Sequence, residues 1–484
     1  MNLASILSDT TQRAPDDVAI VFEGNAVTFG QLEQGAHRAA SGLTALGVQR
    51  GDRIALWMGN HPSFAAILYG VWRIGAVVVP VHAMLTEPEA RHILSDAQVK
   101  VVVCGADQYD KLGDADGRQT HETLRDAGTE ETLPMADVAP DDLALLGYTS
   151  GTSGVPKGAM LSHANLRSNL EQMQGTPIAQ RAGDVNLCVL PLFHIYGLNV
   201  VLNLSVYAGT RVVLHERFDP AGALESIREQ GVTMVAAAPT AYVEWVRLAD
   251  APSDAFANVR AAVSGAAPLP GEVLSGFRKR FGLDIWEGYG LTETSPALTT
   301  TAMGGVAKAG SIGRPLPGVE IRLLDEDGEE AEEGDPGEVA VRGPNVFSGY
   351  WNAPDETARA FVDGWFRTGD VAITDDDGDL YLVDRRRDMI IVSGFNVYPR
   401  EVEDVLRRHP KVADCTVVGA RDARTGEAVR AVVVAAPGAG LTADDVTHFA
   451  RESLAPYKVP ARVDIVAEIP RNAAGKVLRR LLKD

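Results

Sequence analysis

Along the first hundred positions the apolar residues switch repeatedly between helical and extended spacing. Phe29-Gly30-Gln31-Leu32 opens a helical pattern that runs to about Leu46, and Arg53-Ile54-Ala55-Leu56-Trp57 reads as a strand. Residues 62–75 form the next helical pattern, Ala76 to Val81 a strand, Glu87 to Asp96 a helix and Val99 to Cys104 a strand. This alternation predicts βα units on a mainly parallel sheet. An apolar run from Leu143 to Tyr148 then predicts a strand, followed by a loop and a helix from Asn165. The alternation resumes with strands at 187–190, 211–214, 232–237 and 260–263. Between and after them come helices at 195–207, 220–230, 240–248 and 270–281. Strands and turns dominate from about 308 to 384. Beyond 388 the spacing predicts a small α+β unit: strand 389–392, helix 399–408, strands 413–419 and 428–435, helix 442–453 and strand 462–466. The predicted class is α/β. A large N-terminal domain, 1–386, has βα-layered sheets and a small β-barrel-like subdomain at 308–384. A small α+β unit, 388–484, follows a charged segment.

Length and charge narrow the function. A chain of 484 residues exceeds a single core. Its net charge of −20 argues against nucleic acid, whose binding depends on Lys and Arg against phosphates. It also argues against anionic membranes. Met1 to Pro15 lacks the long apolar core of a secretory signal. The apolar stretch Phe64 to Val81 is broken by Arg73 and Gly75, so a buried helix and strand are expected rather than a membrane span. Three separated cysteines, Cys104, Cys188 and Cys415, give neither metal-ligand spacing nor a disulfide framework, which fits a cytoplasmic protein.

Six segments carry candidate chemistry. Thr149-Ser150-Gly151-Thr152-Ser153-Gly154-Val155-Pro156-Lys157-Gly158 concentrates hydroxyls, glycines and one lysine. Such a loop brings backbone N–H groups, hydroxyl donors and charge close to a polyphosphate. It fails the G-x-x-x-x-G-K-[ST] pattern, because the lysine follows proline and precedes Gly158. In Gly288-Tyr289-Gly290-Leu291-Thr292-Glu293-Thr294, a tyrosine flanked by glycines suits a nucleobase, and Glu293 suits Mg²⁺. A packed strand-end turn is the alternative. Arg367-Thr368-Gly369-Asp370 offers a carboxylate for a ribose diol, or a turn aspartate bonded to its own backbone. Asp384-Arg385-Arg386-Arg387-Asp388 fits a linker or a functional hinge equally. Pro470 to Lys476 (PRNAAGK) presents a lysine that is either delivered to a site or simply exposed. Pro191-Leu192-Phe193-His194 places a histidine at a strand-to-helix junction, as a gate or a structural residue.

Taken together and in this order, these segments resemble the adenylate-forming superfamily, which includes acyl-CoA synthetases, luciferases and peptide-synthetase adenylation domains. The resemblance runs over YTSGTSGVPKGAM, PLFHIYG, EGYGLTET, RTGD, DRRRDMIIVSGFNVYPREVE and PRNAAGK, essentially the whole chain. It implies an enzyme that couples ATP to a carboxylic acid, releases pyrophosphate, and passes the acyl group from acyl-AMP to a thiol. It implies that Thr149, Ser150, Gly151, Thr152, Ser153, Gly154 and Lys157 hold the β- and γ-phosphates. Tyr289 would stack on adenine, with Gly265 and Ala266 lining the adenine and acyl sites. Thr292 would touch the α-phosphate, Glu293 would bind Mg²⁺, and Asp370 would hold the ribose with help from Arg385. Lys476 would bridge carboxylate and α-phosphate, and His194 would sit beside the carboxylate. The acyl pocket would comprise His194, Tyr196, Asn199, Ala238, Gly265 and Gly290. Arg387 would be the hinge, and Gly394 and Phe395 would line the thiol channel once the C-terminal domain alternates.

The acid and the acceptor are read less directly. No acidic residue occurs between His194 and Glu216, which disfavours an α-amino acid. Arg211 stands at a strand start, where a structural role is expected. The surrounding residues are mostly apolar, and the wording SGFNVYP and EGYGLTE is most similar to fatty acyl-CoA ligases. Asn199 and Asn203 are four apart. They either meet a polar group of the acid or are buried amides satisfied by backbone. Free CoA is the expected acceptor. Loading of an acyl carrier protein, or transfer to another nucleophile, is the alternative, and a luciferase-like oxygenase ranks lower. Arg407, Arg408, Lys411, Arg421 and Arg424 could dock a carrier protein, receive the CoA 3′-phosphate or simply be solvated. Monomer and homodimer are both compatible with the chain.

Overall fold

The computed structural model describes residues 1–112, 118–129, 132–149, 156–325, 327–332, 334–385, 390–392, 395–422, 426–454, 456–471 and 477–482. They fall into two units. The first comprises Met1–Glu320 and Val341–Phe366, the second Ile321–Ala340 and Arg367–Asp484.

The first unit contains two sheets. In one, Ile285–Gly290, Ala261–Ser264, Met234–Ala237, Val185–Cys188, Arg211–Leu214 and Val18–Phe22 lie side by side and parallel. Antiparallel strands flank them: Ala297–Thr300 and Ser311–Pro315 on one side, Asn25–Thr28 on the other. The other sheet has the order Arg118–Thr120, Val99–Cys104, Arg53–Trp57, Val77–Pro80 and Leu143–Thr149, all parallel, and ends with antiparallel Lys157–Ser162. Helices connect the parallel strands, and their ends carry local signals. Thr28 and Gln31 close a capping box on helix Phe29–Ala45, and Pro62 opens helix Pro62–Arg73 in the first turn. Gly282 at φ 71° ends helix Gly271–Phe281 in the left-handed region that glycine enters without a Cβ clash. The core beside the first sheet is an aromatic nest. Phe256 packs on Trp245, Phe277 and Phe281 with ring centroids 5.4, 4.8 and 4.9 Å away.

Three features depart from the pattern-based expectation. The segment after the glycine-rich loop is a strand, Lys157–Ser162, before the helix His163–Gln174 begins. This strand pairs antiparallel with Leu143–Thr149, and Thr149 faces Lys157. The stretch predicted as one helix at 195–207 is a π-helix, Tyr196–Asn203, continued by an α-turn, Leu204–Ala208. The pattern also left the helix Ser5–Arg13 unassigned.

The strands Glu320–Leu324, Gly337–Arg342, Trp365–Thr374 and Leu380–Arg385, most of whose residues belong to the second unit, lie side by side, and the second unit has a separate sheet near the C-terminus. That sheet runs Phe395–Val397, Ile390–Val392, Gly426–Ala435 and Val412–Asp422, with Arg462–Val466 parallel to Gly426–Ala435. Helices Pro399–Leu406 and Ala443–Ser453 cover it. Arg407 pairs with Glu403 and Asp404, and Lys411 with Asp445, so two of the proposed docking cations are engaged within their own unit. Arg424 lies outside the described residues. Among the described residues no helix is long and apolar enough to cross a membrane. All three cysteines are buried free thiols, and burial pushes Cys104 up to about 11.

Candidate active site

Ligand sites in parallel α/β sheets form beyond the carboxyl ends of the strands. The motif residues of the first unit collect there. Thr149 ends one parallel strand, and Ala238 follows Met234–Ala237. Gly265 and Ala266 follow Ala261–Ser264, and Tyr289 and Gly290 end Ile285–Gly290.

The hairpin and the Thr292–Glu293 turn meet directly. A Cβ added at Gly147 would lie 2.5 Å from Thr292 Cγ2, so only glycine admits the threonine there. Glu293 is 7% exposed, and its Oε1 accepts a hydrogen bond of 2.9 Å from the hydroxyl of Tyr350. Burial, and then the negative charge of Glu293, hold the Tyr350 hydroxyl protonated far above its ordinary range. Lys157 Nζ stands 5.7 Å from the centroid of the Tyr350 ring and pairs with Glu356. Lys157, Tyr350 and Glu293 thus form one chain of contacts linking the hairpin to the turn. The buried carboxylate of Glu293, at a face that also carries Lys157, fits a divalent ion whose remaining ligands are phosphate oxygens and water.

The acyl-side residues are closely packed. Gly265 lies beneath the ring of Tyr196, where a Cβ would fall 3.2 Å from two ring carbons and 3.4 Å from the Gly288 carbonyl. Tyr196 donates to the Val263 carbonyl at 3.3 Å. Ala266 adopts φ 70°, an uncommon conformation for a residue with a Cβ. A Cβ at Gly290 would fall 1.8 Å from the Pro296 carbonyl oxygen, so glycine is obligatory where the strand crosses the turn. Ala238 caps helix Pro239–Arg247 at its N-terminus, one residue beyond Ala237, whose carbonyl accepts from Gly265 N–H. His194 Nδ1 accepts from Tyr196 N–H at 3.2 Å, which leaves the proton on Nε2. Burial, with His82 nearby, lowers its pKa to about 4, so the ring is neutral at pH 7.

Asn199 departs from its expected place in the acyl pocket. It is 0% exposed, and its amide donates to the carbonyls of Ser295 (2.7 Å) and Leu166 (3.2 Å). Its oxygen accepts from Asn203 (3.0 Å), whose own oxygen accepts from Tyr69 (2.9 Å). Two buried amides thus satisfy backbone and one another, and neither offers a free polar group to an acid. Arg211 donates to the Gln230 carbonyl at 2.7 Å, the structural role expected for it.

In the second unit Asp370 is 5% exposed, its N–H bonds Thr368 Oγ1 at 3.2 Å, and it pairs in register with Arg385. The side chains of Arg385 and Phe395 lie outside the described residues, as do Ser150, Gly151, Thr152, Ser153, Gly154, Arg387, Gly394 and Lys476. Sequence reasoning did not single out Tyr350, Glu356 or Asn345. The available signal was the run Gly343-Pro344-Asn345-Val346-Phe347-Ser348-Gly349-Tyr350-Trp351, which combines turn-forming residues with three aromatics.

Comparison with known proteins gives the family. Residues 7–351 match the AMP-binding enzyme family, and residues 401–476 match the AMP-binding enzyme C-terminal domain. The chain belongs to the AMP-binding enzyme family. It is an enzyme of the adenylate-forming acyl-CoA ligase type. It is 35% identical to a long-chain-fatty-acid–CoA ligase of Bacillus subtilis, over 99% of this chain and 94% of that protein. It is 38% identical to a feruloyl-CoA synthase of Amycolatopsis, over 96% of this chain and 95% of that protein. Among solved structures, ATP-bound MatB from Rhodopseudomonas palustris superposes with a TM-score of 0.92 at 33% identity, covering 100% of this chain and 98% of that one.

Proposed function

We propose that this family member activates a carboxylic acid with an apolar aliphatic or aryl tail, first as acyl-AMP and then as a CoA thioester. The observation that carries the reading is the convergence of Lys157, Thr292 and Glu293 through Gly147 and Tyr350 on one face of the first unit. A carboxylate oxygen attacks the α-phosphorus of ATP and pyrophosphate leaves. The thiol sulfur of CoA then attacks the acyl carbon, its proton is lost, and AMP leaves. The first step brings two anions together, so positioning and charge neutralisation dominate. Lys157 and the loop that begins after Thr149 bear on the departing pyrophosphate. Thr292 bears on the α-phosphate, and Glu293 holds the divalent ion, which when bound neutralises phosphate charge. Tyr289 and Gly265 serve the adenine, Asp370 the ribose, and Lys476 the reacting carboxylate.

The tail assignment is supported by the tyrosine-walled, closely packed surface around Tyr196 and Gly265 and by the absence of a free amide at Asn199. The fatty-acid and feruloyl relatives bracket the tail chemistry. CoA fits the names of these relatives, and the cytoplasm, where ATP and CoA are both present, is the proposed location.

The test is pyrophosphate release with a panel of straight-chain, aryl and dicarboxylic acids, with and without CoA. Release with fatty or aryl acids, followed by CoA-dependent thioester formation, is the expected result. Preference for a dicarboxylic or amino acid overturns the tail assignment. Lys476→Ala is expected to cripple adenylation while sparing thioester formation from supplied acyl-adenylate. Equal loss of both overturns the role of that lysine.

A further inference from the structure

The turn that carries Glu293 is held through its backbone. Five consecutive carbonyls accept hydrogen bonds. Glu293 O accepts from Phe347 N–H at 2.8 Å and Thr294 O from the Asn345 amide at 2.9 Å. Ser295 O accepts from Asn199 at 2.7 Å, and Pro296 O from Leu291 N–H at 3.1 Å. Ala297 O accepts from both Asn169 (2.8 Å) and Asn345 (3.1 Å). The three asparagines are 0% exposed and come from three separate segments of the chain. Ser295 adopts φ 73°, a strained conformation for a side-chain-bearing residue, which persists only where its surroundings enforce it.

Asn199 differs from the other two in where it comes from. It lies on the π-helix Tyr196–Asn203, a rare element that recurs at functional sites. Three residues earlier on that helix, Tyr196 covers Gly265. Asn203 donates to the Asn199 oxygen from behind and itself accepts from Tyr69, one link further away, while Leu166 O takes the second proton of Asn199. We propose that Asn199 is a positioning residue for adenylation, tying the helix that carries Tyr196 to the turn that carries Thr292 and Glu293. The inference rests on the function proposed above. Ser295 is itself 0% exposed, so its carbonyl has no water to replace the lost donor. Without the bond the turn relaxes, and Thr292 and Glu293 lose their placement against Lys157. Asparagine suits the position because it donates twice and accepts once in one plane. Leucine does neither, and an ionised aspartate would oppose the two carbonyls.

The test uses the full chain with the parent's best acid. Acid-dependent ATP–pyrophosphate exchange, thioester formation from supplied acyl-adenylate, and thermal stability are measured for Asn199→Ala, Asn345→Ala, the double variant and Tyr69→Phe. Misplacement on the scale of an ångström predicts a loss of about 100-fold in exchange kcat for Asn199→Ala, with the KM for ATP changing far less. Residues holding one turn couple, so the double variant should be little worse than the poorer single. Tyr69→Phe removes a bond one link further from the turn, so it should lower stability and leave exchange kcat near that of the parent. Where Asn199→Ala does not fold, Asn199→Ser, which keeps a shorter donor, replaces it and should show the same kcat-dominated loss. Near-parental exchange kcat in the folded Asn199 variant overturns the proposal, as does a Tyr69→Phe loss equal to it. A parent with no acid-dependent exchange overturns the functional reading instead.

Discussion

The hydroxyl of Tyr350 donates to Glu293 Oε1 at 2.9 Å, while the ring of the same tyrosine lies 5.7 Å from Lys157 Nζ. One side chain therefore orients a carboxylate and accompanies an ammonium, the two groups proposed above to serve one polyphosphate. Its proton is not labile near neutral pH, so it acts as a fixed donor rather than an acid.

Tyr350→Phe removes that donor and keeps the ring. A hydrogen bond to a charged group contributes about 1.5–3 kcal/mol, so the Mg²⁺ concentration for half-maximal exchange should rise roughly 10-fold or more. The Lys157 contact should survive, because the ring does. Titration of exchange against Mg²⁺, alongside binding of ATP by calorimetry with and without the ion, checks this. Unchanged half-saturation would remove Tyr350 from the site.

Glu356→Gln releases Lys157 from its partner. The carboxyl of Glu356 is held below its usual range first by its hydrogen bond to Lys157, yet that carboxyl is itself open to solvent and the pair contributes little to folding. Stability should be nearly unchanged, while pyrophosphate inhibits more tightly, by a few-fold, because the lysine no longer has to exchange one anion for another. Inhibition constants at two salt concentrations measure it, and the effect should shrink at the higher one.

Phe256→Ala empties the centre of the aromatic nest formed with Trp245, Phe277 and Phe281. Loss of a buried phenylalanine costs about 3–5 kcal/mol, which urea denaturation would report. Exchange activity of the folded fraction should remain.

His163 links acid sensitivity to one contact. It is 0% exposed, its Nδ1 accepts from Leu3 N–H at 3.1 Å, and burial lowers its pKa to about 4. The unfolded chain binds this proton at the ordinary value, so the stabilisation is complete above about pH 6.5 and is lost as pH falls towards 4. His163→Gln can keep the acceptor without titrating. It should flatten the slope of stability against pH in that window by up to about 1.4 kcal/mol per pH unit. His194 is depressed to a similar value, so part of the slope should persist.

Much of the scaffold was legible because one physical signal dominated each element. Helix Phe29–Ala45 has its capping box and apolar stripe, and strand Val77–Pro80 is buried throughout. The strand Lys157–Ser162 was hidden by its neighbour: polar loop chemistry masked a short extended run whose pairing partner, Leu143–Thr149, precedes the loop. The π-helix was read as ordinary helix, because eight mostly apolar residues do not distinguish the two periods by pattern. Lys157, Thr292 and Glu293 stood out as candidates because their residue types are costly to place without a function, and the structure brings them to one face of the first unit. Tyr350 and Asn345 were not, because their role depends on contacts with residues more than 50 positions away in the chain. For Asn199 the sequence leaves two readings open, since a buried amide and a ligand-facing amide look alike in it, and the structure shows the buried one.

The frame around Glu293–Ala297 grips carbonyl oxygens, which every amino acid supplies. Exchanging a side chain inside the turn therefore leaves these carbonyl bonds intact, except at Thr294 and Ser295, whose hydroxyls donate to the carbonyls of Pro296 and Asn345. Further weak points of the proposed nucleotide site lie at Asn169, Asn199 and Asn345, remote from the turn in the chain. A survey of inactivating substitutions should find them at these three silent positions as readily as in the motif itself.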